Sequence, residues 1–386
     1  MDVRAVAVNG RTYRWPSRPV VVVCLDGSAF EYIDRAMAAG VAPYLQSLSG
    51  LKFFRLVESA LPSFTNPNNA SIVTGVPSSV HGISGNFFLD RETGKTVMMN
   101  DASFLRADTI LSAFSRAGAR VAVVTAKDKL RRLVGHGVSG PCLSIEATGV
   151  DVYSAALSEQ ALAEGVRLLA STSPDLLYLS TSDYVQHTHA PGDAEANRFY
   201  AAIDRSLAEI DRLGATLVIT ADHGMRGKAD ASGQVRAVFL QDVLDGWLGT
   251  EVARVVLPIT DPYVRHHGAL GSCAMVYLSA PADAAALAGR IQAVAGIDVA
   301  VAHDEASRRF DLPPDRTGDI VVFSDGETVI GTRPADHDLS ALDAPLRSHG
   351  GRAEQEVPLF ANRQVASVHR PRHNYDAFDV ALNGIA

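Results

Sequence analysis

Four short runs of β-branched and other apolar residues recur along this chain: Val20-Val-Val-Val-Cys-Leu25, Val121-Ala-Val-Val-Thr125, Leu176-Leu-Tyr-Leu-Ser180 and Thr216-Leu-Val-Ile-Thr220. None of them alternates apolar with polar residues, so both faces of each strand must be covered, as in the centre of a parallel sheet. Between them lie amphipathic stretches that read as helices over 108–117, 153–170 and 193–213. The last carries Phe199, Ile203, Leu207 and Ile210 at helical spacing. This alternation predicts an α/β chain with a doubly wound, mostly parallel sheet. Ligands of such sheets sit beyond the carboxyl ends of the strands, which singles out Asp26, Asp183 and Asp222, each at or just past one.

The 386 residues exceed the usual size of one core, so an insertion or a second domain is expected. From about Leu257 the texture changes to an Ala-rich helix and short strands, and it reverts near Leu346. We therefore expect a core of residues 1–256 and 345–386 with an inserted α+β cap over 257–344. A net charge of −8 argues against a nucleic-acid partner. Three scattered cysteines without a C-x-x-C pair fit a reducing compartment. Residues 1–16 hold no apolar signal core, and the strongly apolar run 20–25 is too short to span a bilayer. The expectation is a cytoplasmic protein with no membrane partner; a homodimer is compatible with this.

Asp222-His223-Gly224 follows the strand 216–220. Neighbours on an extended segment point to opposite sides, so this dipeptide can serve two metal ions. In Asp183-Tyr-Val-Gln-His187, a four-residue spacing at a helix start puts carboxylate and imidazole on one face. Asp26 ends the first strand, and His349 in Ser-His-Gly-Gly is a further donor from beyond the cap. Each piece alone has a plain reading as a turn, a cap or a surface histidine. A second Asp-His pair, Asp336-His337, has no strand ahead of it and reads as a solvated loop. Together the ordered donors indicate a dinuclear site. Histidine and carboxylate without thiolate suit zinc, ahead of manganese or iron.

Thr65 stands just before an apolar stretch, with Pro67 in what would be the first helical turn. A hydroxyl there faces exposed backbone N–H groups and the positive helix end, which favour an alkoxide or a phosphorylated intermediate.

Asp26, Thr65 in its Thr-Asn-Pro-Asn context, Asp183-x-x-x-His187, Asp222-His223-Gly224 and His349, in this order, resemble the alkaline phosphatase superfamily. They are most similar to its nucleotide pyrophosphatase and phosphonate-hydrolase branch. The resemblance spans nearly the whole chain. It implies a sheet of alkaline-phosphatase type, one zinc held by Asp183, His187 and His349, and another by Asp26, Asp222 and His223. Thr65 would be the nucleophile, touching the metal site. A sulfatase would need a C/S-x-P-x-R context, which Thr65-Asn-Pro-Asn lacks.

Only five of the 35 basic residues are lysines, and two of them, Lys127 and Lys129, follow the strand 121–125. Two residues apart on an extended chain, they would point the same way and bind a compact carboxylate. Thr125-Ala-Lys-Asp-Lys-Leu130 and His81-Gly-Ile-Ser-Gly-Asn86 resemble those members of the branch that act on phosphonoacetate. By that resemblance Lys127 and Lys129 hold the substrate carboxylate, while Asn86 and Thr65 contact the phosphonyl oxygens. The implied reaction is zinc-dependent cleavage of the C–P bond to acetate and phosphate through a phosphothreonine. The alternative is a phosphodiesterase or nucleotide pyrophosphatase, with Phe64, Phe87, Phe88 or Tyr184 stacking on a base. His266-His267 opens the cap, and His267 is a minor substrate-binding candidate.

Overall fold

The computed structural model describes residues 4–259, 270–279, 283–340, 342 and 344–385. The four apolar runs become adjacent parallel strands in the spatial order Thr216–Thr220, Val20–Cys24, Leu176–Ser180, Val121–Thr125, with every strand residue buried. Cys142–Ser144 extends the parallel set at one edge. At the other, Glu356–Ala361 and Phe53–Glu58 add antiparallel strands.

Side chains alternate between the two faces of a strand, and this divides the core. Val21, Val23, Leu177, Leu179, Leu217 and Ile219 face the helices Phe30–Ala38, Ala155–Thr172 and Ala194–Arg212. Val20, Val22, Cys24, Leu176, Tyr178 and Val218 face the helices Thr65–Thr74, Ile110–Arg116 and Asp128–Val134. Each fully buried side chain of this kind contributes about 1.5–3 kcal/mol.

A second, antiparallel sheet has the order Ala253–Val256, Cys273–Leu278, Ile320–Ser324, Ile297–Ala302. It starts at Ala253, ahead of the change of texture at 257, because a four-residue strand is too short to show a period. One face carries the helix Ala284–Gln292 through Leu287, Ala288 and Ile291. The other packs Met275, Val321 and Phe323 with Leu61 and Phe64, immediately ahead of Thr65. The chain then rejoins the main sheet at Glu356–Ala361. Among the described residues no helix is long and apolar enough to cross a membrane.

Candidate active site

Sheet register builds the site. Thr220 lies opposite Cys24, Cys24 opposite Ser180, and Ser180 opposite Thr125. The residues just beyond these ends, Asp222, Asp26, Asp183 and Lys127, therefore form a row at the strand spacing of about 4.8 Å. Gly27 makes the sharp exit possible. Its φ is +69°, a Cβ there would lie 2.9 Å from the Asp183 Cβ, and its N–H donates to Asp222 Oδ1 at 3.1 Å.

The histidines converge on this row. His187 Nε2 is 3.0 Å from Asp183 Oδ2, with His349 Nε2 3.8 Å from the same oxygen. His223 Nε2 is 3.2 Å from Asp26 Oδ1 and 3.8 Å from Asp222 Oδ2. Donor atoms of Asp26, Asp222 and His223 all lie within 4.8 Å of one another, as do those of Asp183, His223 and His349. His223 thus stands between the two groups, its ring stacked on His349 at 3.6 Å. In each histidine Nδ1 is tied to a backbone carbonyl: His187 to Arg347 O at 2.8 Å, His223 to Gly224 O at 2.9 Å, His349 to Ser63 O at 2.9 Å. With Nδ1–H donating to a carbonyl, Nε2 is the ring nitrogen turned toward the row, the arrangement typical of metal-ligating imidazoles.

Thr65 opens the helix Thr65–Thr74 as its first residue, one position later than the sequence reading placed it. Its Oγ1 is buried, 3.3 Å from His223 Nε2. Lys127 reaches across the row, with Nζ 2.9 Å from Asp183 Oδ1 and 3.6 Å from Asp26 Oδ2. The extended-chain argument for the lysines does not hold. Lys127 precedes the helix Asp128–Val134 and Lys129 is its second residue, so a helical turn carries them; both are buried. Arg131 and Arg132 turn back onto Asp128. Asn86 is buried, and its backbone is held by Pro258 O and Met99 N. His266 and His267 lie outside the described residues. Asp336 and His337 sit at a turn where His337 Nε2 accepts from Thr332 N.

Charge in this buried row is unbalanced. Burial and the neighbouring Asp183 and Asp222 push the Asp26 carboxyl up to about 8, although Lys127 opposes them. Burial works against a charged His223, but Asp222 and Asp26 prevail and push it up to about 9. Burial, with His223 and His187 alongside, pushes His349 well down. Despite its own burial, Asp183 is held well below the carboxylate range by Lys127 and His187. Both Asp26 carboxylate oxygens are buried and accept no hydrogen bond among the described residues. Buried acceptors without donors are rare unless something else fills the role, and carboxylate oxygens that face imidazole Nε2 atoms fit cations. Side chains of these three Asp and three His residues could hold metal.

Sequence reading missed what sets the Asp222 carboxylate. Asn69 Nδ2 donates to Asp222 Oδ2 at 2.9 Å and to Thr65 O at 3.0 Å, while its Oδ1 accepts from Tyr178 at 2.6 Å and Ser180 at 3.2 Å. One amide thus joins the helix Thr65–Thr74, an acidic site residue and the central strand. An asparagine in a helix's second turn gives no signal of this.

Residues 20–352 match the model of the type I phosphodiesterase / nucleotide pyrophosphatase family. Phosphonoacetate hydrolase from Sinorhizobium meliloti 1021, in complexes with phosphonoformate and with phosphonoacetate, is 50% identical, with 100% of both chains covered and a TM-score of 0.95. Murine ectonucleotide pyrophosphatase/phosphodiesterase 5 shares the fold at 19% identity and a TM-score of 0.66, covering 94% of this chain and 93% of its own. An ectonucleotide pyrophosphatase/phosphodiesterase of Caenorhabditis elegans is 25% identical over 382 residues, 91% of this chain; the chain spans 46% of that relative's length. The matched span and the full-length likeness agree with the order of site residues: this chain belongs to the type I phosphodiesterase / nucleotide pyrophosphatase family of the alkaline phosphatase superfamily.

Proposed function

We propose that this protein is a metal-dependent hydrolase that cleaves the C–P bond of phosphonoacetate, giving acetate and phosphate. The observation that carries this is the 50% identity over the whole chain to phosphonoacetate hydrolase. The metal is zinc, two ions per chain, on the donor chemistry of His and carboxylate without thiolate. Asp183, His187 and His349 would hold one ion; Asp26, Asp222 and His223 would hold the other, with Thr65 beside it. Such ions supply Lewis-acid charge to phosphonyl oxygens and lower the pKa of a neighbouring hydroxyl.

Thr65 Oγ1 attacks phosphorus as the P–C bond breaks. The bond's electron pair passes to the methylene carbon and spreads into the adjoining carboxylate as an ene-diolate. A bare carbanion would be a very poor leaving group, so charge stabilisation at that carboxylate is the main demand on the protein. Lys127 and Lys129 supply it, binding the transition state better than the ground state. The proton lost from the Thr65 hydroxyl balances the one that the carbon takes up to complete acetate. Water then attacks the phosphothreonine, releasing phosphate and restoring the Thr65 hydroxyl. Asn86 donates to a phosphonyl oxygen. His267 would be a minor substrate contact. Three free cysteines suit a reducing compartment, and we read the protein as cytoplasmic.

Base stacking has less support. Phe64 is fully buried in a T-shaped contact with His349, and Phe88 packs with both Phe104 and the Arg316 guanidinium. The test is phosphate release from phosphonoacetate by zinc-loaded protein, by chelated protein and by Thr65→Ala. Release that needs metal and is lost in Thr65→Ala is the expected result. Turnover of a nitrophenyl phosphodiester with none of phosphonoacetate would move the protein to the phosphodiesterase class.

A further inference from the structure

One buried ion pair has no part in this chemistry. Lys228 Nζ lies 2.9 Å from Glu354 Oε1, and both side chains are 0% exposed. Such a pair contributes little net stability, because removing two charges from water offsets their attraction. Its remaining bonds show what it holds. Glu354 Oε2 accepts from Gly351 N at 3.0 Å, and the Glu354 carbonyl accepts from Gly224 N at 2.7 Å. Lys228 Nζ also donates to Gly326 O at 3.0 Å, in the turn between the strands Ile320–Ser324 and Val329–Gly331 of the inserted region. Gly224 directly follows His223, and Gly351 is two residues beyond His349. The two imidazoles stack at 3.6 Å with 3° between their planes. Neither loop has slack. A Cβ on Gly351 would stand 2.8 Å from the Ser272 Cβ, and one on Gly224 would stand 3.2 Å from Glu354 O.

We propose that Lys228 and Glu354 are a positioning pair. They set the spacing of the His223 and His349 loops against the inserted region, and so the geometry in which those imidazoles take metal. The proposal rests on His223 and His349 being metal ligands. Its test separates stability from positioning. Lys228→Met together with Glu354→Leu removes both charges at once, so no unpaired charge is left buried and the metal-free double variant should stay folded, with only the modest loss expected from Gly351 N and Gly326 O losing their partners. Its zinc affinity, measured by competition with a chromogenic chelator, should nevertheless fall by about tenfold or more, the usual effect of losing an outer support. A double variant that binds zinc within about twofold of wild type overturns the proposal. Should circular dichroism show it unfolded, Glu354→Gln decides: an amide accepts at one end only, so either Gly351 N or Lys228 Nζ meets an N–H instead of an acceptor, and the same loss is expected. Unchanged affinity there is equally fatal. Wild type that takes up no zinc overturns the ligand reading itself, and this role with it.

Discussion

Gly350 is the position where backbone geometry and site chemistry meet most closely. Its φ is +115°, and an added Cβ would stand 2.2 and 2.4 Å from two Phe64 ring atoms. Phe64 is fully buried, with its ring edge to His349 at 5.5 Å, so it cannot move aside without disturbing the imidazole. Gly350→Ala should cost about 1–3 kcal/mol for the backbone conformation and about 1–3 kcal/mol more for overpacking. Gly94→Ala is the control: φ is +67° with nothing within 4 Å, so only the backbone cost applies, about 1–2 kcal/mol. Denaturant unfolding of the metal-free proteins gives the stabilities, and chelator competition gives zinc affinity. Gly350→Ala should lose affinity about tenfold or more, and Gly94→Ala none. Adding Phe64→Leu to Gly350→Ala should make the pair's destabilisation smaller than the sum of the singles. Equal costs at the two glycines, or wild-type zinc affinity in Gly350→Ala, would refute the claim that Phe64 and Gly350 jointly seat His349.

Lys129→Ala should lower kcat on phosphonoacetate by about 10²-fold, on the scale of one lost oxyanion donor, and far less on an activated aryl phosphate ester; equal losses on both would remove the ene-diolate role. Tyr178→Phe removes the hydroxyl that fixes Asn69 and should cost about 1 kcal/mol in denaturant unfolding, with a lower kcat at unchanged KM. Burial pushes the pKa of His81 down to about 3, and its Nδ1 accepts from Ile83 N. The unfolded chain therefore takes a proton below about pH 6.5 that the folded chain refuses. Stability is fully present above that pH and falls by about 1.4 kcal/mol per unit from about 6.5 down to 3. From pH 7 to pH 5.5 wild type should lose about 1.3 kcal/mol of unfolding free energy more than His81→Gln in denaturant titrations; equal losses would exclude His81 as the source.

Much of the site is local information. Continuous apolar runs can only be strands covered on both faces, and a carboxylate at the carboxyl end of one is already at the ligand edge. Asp26, Asp183, Asp222 and the four-residue step to His187 were legible for that reason, as was Thr65 at a helix start. The lysines show the limit of such rules. Spacing alone predicts Lys127 and Lys129 side by side on an extended segment, but the helix begins at Asp128, and their burial follows from packing. What lies across the chain left no local trace. The strand order that sets Asp222, Asp26, Asp183 and Lys127 in one row is a property of the sheet. The Asn69 amide binds Asp222 at a sequence separation of 153, and Lys228 pairs with Glu354 at 126. Periodicity and spacing report on contacts within a few residues. Which strand lies beside which, and which buried amide or ammonium meets which carboxylate, is decided only when the whole core closes.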